Sequence, residues 1–152
     1  MNSEFTSYLE SVGIKKDSKM FARIDSPYST AQFLCPEDKI IDVFVCESTD
    51  QEGRRAHHNV LFFSMNYVME CKQLKPDTDD AIDICGVAAF IRYCQVQKRD
   101  FEFGSKASEK SRCRLDLLFA SGAGAALFAS QANCEKLQTI YETFVKPNLR
   151  AV

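Results

Sequence analysis

Lys106, Lys110, Arg112 and Arg114 form the densest basic cluster of this 152-residue sequence. Arg112 and Arg114 lie two residues apart, so on a strand both guanidinium groups project from one face. Convergent cations of this kind hold anions, and the planar fork of arginine suits phosphate or carboxylate. These four residues are the candidate binding site, for an anionic lipid head group or for a protein partner. Glu109 and Asp116 interrupt the same stretch, which also fits a solvated strand face with balanced charge. A second basic group, Lys15, Lys16, Lys19 and Arg23, is broken by Asp17 and flanks an expected helix end. Cations there complement the helix dipole without any ligand.

Acid–base, thiol and metal chemistry find less to work with. His57 and His58 are the only histidines and the natural candidates for a base or a ligand. Neighbouring strand residues face opposite sides, so the pair does not share a metal without a turn. Without such chemistry they read as a loop pair beside Arg54 and Arg55. The seven cysteines, Cys35, Cys46, Cys71, Cys85, Cys94, Cys113 and Cys134, include no C-x2-C pair of the kind that builds a four-thiolate zinc site. A nucleophilic pair of Cys46 with a histidine has no local signature. Asp77, Asp79 and Asp80 resemble a calcium loop, yet Ala88 stands where its distal glutamate belongs. Gly122 and Gly124 form G-x-G, but Leu127 occupies the third glycine position of a dinucleotide fingerprint. No catalytic residue, metal or cofactor is expected.

The charge balance narrows the partners. Nineteen basic and 21 acidic side chains leave a formal charge of −2, which discourages nucleic acid, since phosphate backbones demand an uncompensated basic surface. The cysteines fall mostly in apolar runs, where a reduced thiol behaves as a small hydrophobe. The first residues, Met-Asn-Ser-Glu-Phe-Thr, do not form a secretory leader. No apolar stretch approaches the ~18 residues of a membrane-spanning helix. The expectation is a cytoplasmic chain with free thiols and no transmembrane segment.

The elements that must position these groups follow from hydrophobic spacing. Phe5, Tyr8, Leu9 and Val12 recur at helical intervals and Gly13 stops them, predicting a short N-terminal helix with a connector over residues 1–17. A strand-rich body is predicted over 18–129. Its strands include 20–24, ended by a turn at Asp25-Ser26-Pro27, and 31–35, ended by Pro36. Residues 40–46 read as a central strand. The aromatic content of residues 60–71 favours a strand, or a hairpin turning near Ser64–Asn66, while periodicity alone leaves a buried helix open. Further strands are expected over 82–96, with a bend at Gly86, over 99–103, over 113–119 and over 125–129. In 130–147, Leu137, Ile140, Tyr141, Phe144 and Val145 fall at i, i+3, i+4, i+7 and i+8 of one helix, which Pro147 ends. Residues 1–152 read as a single domain.

This order of elements, with strand, glycine turn, strand and amphipathic helix in succession over 111–147, resembles the pleckstrin-homology-like superfold. The resemblance implies an α+β domain of about seven or more antiparallel strands in a curved sheet or partly open barrel. Its C-terminal helix would close one end with Leu137, Ile140 and Phe144. The family's helix usually carries a tryptophan and this chain has none. Profilin-like or longin-like sheets, with helices on one face, are the competing architecture. The superfold hosts lipid binding, peptide binding and scaffolding, so it does not choose among them.

The sequence therefore reads as a non-enzymatic adaptor or scaffold module that binds a protein or peptide partner, with aromatic strands (Phe62, Phe63, Tyr67, Phe90, Tyr93, Phe101, Phe103) as core or as groove. An anionic-lipid or phosphoinositide binder using Lys110, Arg112 and Arg114 is the second reading. A small cysteine-dependent enzyme is the third. An edge strand such as 101–103 could also pair with a second copy of the chain.

Overall fold

A computed structural model of the chain describes residues 1–49, 55–74, 87–92, 96–103, 112–119, 124–130 and 133–148, with side chains over 1–46, 59–71, 114–117, 124–129 and 133–147. Two helices come first. Helix α1 (Ser3–Ser11) starts where the Asn2 side chain accepts the Phe5 N–H at 2.8 Å. It ends in a Schellman turn: the Gly13 N–H reaches Glu10 O at 3.0 Å and the Ile14 N–H reaches Leu9 O at 2.8 Å. That turn places Gly13 at φ 94°, a region open to glycine. Leu9 and Ile14, brought together by the turn, are both buried.

Helix α2 (Lys19–Leu34) corrects the first two predicted strands, 20–24 and 31–35. Ser18 caps it by accepting the Phe21 N–H at 3.1 Å. Met20, Phe21, Ile24, Tyr28 and Ala31 are its buried residues, and their spacing of 1, 3, 4 and 3 residues is helical rather than alternating. Pro27 lies inside the helix. It removes one backbone bond, to Arg23 O, at a cost of about 3 kcal/mol when nothing compensates. Burial of five side chains on one stripe outweighs that loss.

Strands β1 (Asp42–Thr49), β2 (Arg55–Phe63), β3 (Tyr67–Leu74) and β4 (Val87–Arg92) form an antiparallel sheet in that order, sheet A. Strands β5 (Val96–Phe103), β6 (Arg112–Phe119) and β7 (Gly124–Ser130) form a separate antiparallel sheet, sheet B. Residues 60–71 are a hairpin. Ser64, fully buried at its turn, accepts the Asn66 and Tyr67 N–H groups at 3.2 and 2.9 Å and donates to Tyr67 O at 3.1 Å.

The described side chains of β1 to β3 are buried on both faces of sheet A, apart from half-buried Asp42 and Asn59. Val43, Val45, Val60, Phe62, Tyr67, Met69 and Cys71 pack with the buried residues of α1 and α2. Phe44, Cys46, Leu61, Phe63 and Val68 pack on the other side, against Leu115, Leu117, Ala125, Leu127 and Ala129 of sheet B. The continuous apolar runs of β1 to β3 follow from this arrangement, since each face needs its own cover. The run beginning at residue 40 suggested a central strand for the same reason, but β1 is an edge strand of sheet A.

The fold expected from the sequence, one curved sheet or partly open barrel of pleckstrin-homology-like type with a single N-terminal helix, is therefore corrected. The chain has mixed helix and sheet, with two helices ahead of two small sheets. Among the described residues, no hydrogen-bonded strand pair joins the sheets or closes them. A profilin-like or longin-like sheet with helices on one face is corrected too, because sheet A is covered on both faces.

Helix α3 (Asn133–Ile140) continues into a π-helical turn (Tyr141–Val145) and a 3-10 turn (Lys146–Asn148). The Lys146 N–H bonds Tyr141 O, five residues back. Pro147 explains the widening, since its ring would collide with the Thr143 carbonyl of a regular helix. Leu137, Ile140, Tyr141, Phe144 and Val145 are all buried in the core between the sheets. The Phe144 ring stacks on Phe63 at 5.5 Å. The strand predicted over 82–96 is described only from 87, as β4, and then at Val96, where β5 begins. Its bend at Gly86, the acidic loop Asp77, Asp79 and Asp80, the loop 104–110 and the turn residue Gly122 lie outside the described residues.

Candidate functional site

Two surface regions gather side chains with binding chemistry. The first is the end of sheet A at the β2–β3 turn. The Ile41 N–H donates to Phe63 O at 2.7 Å, which sets Ile41 beside the turn that carries Met65. The Tyr67 hydroxyl donates to Asp38 O at 3.4 Å, drawing the α2–β1 connector to the same end. Burial pushes the Tyr67 phenol up to about 12, with Cys35, Asp38 and Tyr28 adding to the shift in that order. Cys35 caps the C-terminus of α2 and its carbonyl accepts the Asp38 N–H at 3.1 Å, so the end of the helix that carries Phe33 and Leu34 leads into this connector. The Tyr28 phenol is also raised, by burial and then by Asp25.

Four large hydrophobic side chains on these segments are exposed to solvent. Phe33 is 83% exposed, Leu34 65%, Ile41 52% and Met65 47%. Single exposed hydrophobics are ordinary, whereas several at one end of a sheet are the pattern of interaction sites. The predicted site did not include them. Their signal lay in the helical period of α2: with Tyr28 and Ala31 buried, the next position on that stripe is Cys35, which leaves Phe33 and Leu34 on the outer side. Reading 31–35 as a strand hid this.

The second region holds the predicted site. Arg112 and Arg114 are both on β6, facing Ser130 and Phe128 across the β6–β7 register. The Arg114 guanidinium lies 5.1 Å from the centroid of the exposed Phe128 ring and pairs with Asp116 at 2.8 Å. Arginine over an aromatic face with a carboxylate alongside is a stable surface arrangement in itself. Lys106 and Lys110 lie outside the described residues, and of Arg112 only the backbone is described. In the other basic group, Lys15, Lys16 and Lys19 are exposed and Arg23 half-buried around the α1–α2 junction.

The histidines stand within β2, opposite Ser48 and Glu47 of β1, instead of in a loop. Cys46, the suggested nucleophile, is buried where the edges of the two sheets meet. Its S–H donates to Ala126 O at 3.5 Å and its sulfur accepts the Phe128 N–H at 3.3 Å. Burial, and then neighbouring Glu70, push the Cys71 thiol up to about 12, away from the thiolate form that reactive cysteines use. Glu70 is 4% exposed, and its Oε1 accepts from Asn59 Nδ2 at 3.5 Å. Among the described residues, no three His, Cys, Asp or Glu side chains converge to hold a metal ion. No helix of the described residues is long and apolar enough to cross a membrane. Comparison with known proteins returned no matching family model, curated protein or solved structure.

Proposed function

We propose that this chain is a non-enzymatic protein-interaction module whose partner docks on the end of sheet A marked by Phe33, Leu34, Ile41 and Met65. The exposure of Phe33 and Leu34, adjacent residues at the end of a helix whose other face is buried, carries the reading. Covering two such side chains removes enough apolar area to contribute several kcal/mol to binding, at about 25 cal/mol per Å2. The anionic-lipid reading gains no comparable support from Arg114, whose charge is already met by Asp116.

The test is capture of partners from native extract by the intact chain and by the double variant Phe33→Ser, Leu34→Ser, compared by quantitative mass spectrometry. The variant folds with stability within about 0.5 kcal/mol of the parent, because both side chains are exposed, and loses its specific partner at least tenfold. An identical partner set on both proteins would overturn the reading.

A further inference from the structure

We draw no further inference here: the strongest candidate, the exposed apolar end of sheet A formed by Phe33, Leu34, Ile41 and Met65, already carries the proposed function, and nothing in the structure shows what covers it.

Discussion

Tyr8 and Asn133, 125 residues apart in the chain, close a ring of hydrogen bonds around the backbone of Val45. The Val45 N–H donates to the Tyr8 hydroxyl at 3.1 Å, that hydroxyl donates to Asn133 Oδ1 at 2.8 Å, and Asn133 Nδ2 donates to Val45 O at 3.2 Å. Side chains from α1 and α3 thus satisfy both backbone polar groups that Val45 presents at the outer edge of β1, where a neighbouring strand would otherwise sit. Lys136 reinforces the junction, with its ammonium 4.9 Å from the Tyr8 ring centroid and ion-paired to Asp42.

Tyr8→Phe removes the shared hydroxyl and keeps the ring. The expected loss is about 1–3 kcal/mol, because the Val45 N–H is left without its acceptor. Asn133→Ala should cost a similar amount. Since the two share partners, the double variant should lose less than the sum of the singles, by about 0.5–3 kcal/mol. Urea denaturation of the four proteins measures this, and strict additivity would break the ring.

Ser64→Ala tests the turn that carries Met65. One hydroxyl there, itself fully buried, accepts two backbone N–H groups and donates to a carbonyl. Its loss should lower stability by about 1–3 kcal/mol. Hydrogen exchange at the Asn66 and Tyr67 amides should accelerate more than exchange in β2. A uniform change across the sheet would show that the hydroxyl does not organise the turn.

Legibility tracked how local each signal was. The spacing of Phe5 and Leu9 and the stop at Gly13 identify α1 because capping chemistry lies within a few residues. The stripe from Leu137 to Val145 reads directly as one buried face for the same reason. Pro27 misled, since a proline after aspartate and serine is a good turn signal, and only the tertiary burial of Ile24, Tyr28 and Ala31 overrides it. The separation into two sheets has no local signature at all. It depends on which of two apolar faces meets which cover, as at Phe44 and Val45, where adjacent residues enter different cores. Arg112 and Arg114 were easy to single out by charge, whereas the exposure of Phe33 and Leu34 required the helix to be known first.

Alkaline pH should destabilise the fold through Cys71 and Tyr67. Both groups are raised in the folded chain to about 12, from ordinary values of 9.0 and 10.0. The folded state therefore retains protons that the unfolded state releases. The stability tied to these groups is fully present below about pH 9 and falls as pH rises toward 12. Denaturation midpoints measured between pH 7 and 11 should decline above pH 9, and Cys71→Ala should flatten the first part of that decline. A midpoint that rises with pH over this range would contradict the burial of both groups.

Pro27→Ala separates helix from turn at the point where the sequence pattern misleads. In a helix, alanine restores an N–H able to bond Arg23 O and relieves the ring's conflict with that carbonyl, a gain of up to about 3 kcal/mol. The unfolded chain gains freedom when proline is lost, which offsets about 0.4–1 kcal/mol. The expected net effect is stabilisation of about 1–2 kcal/mol, with a small rise in helical circular dichroism. In a turn formed by Asp25, Ser26 and Pro27, the same substitution would forfeit the preset φ of proline and destabilise the protein instead. The sign of the change in denaturation midpoint therefore decides between the two conformations, and a destabilised variant would remove α2 as a continuous helix.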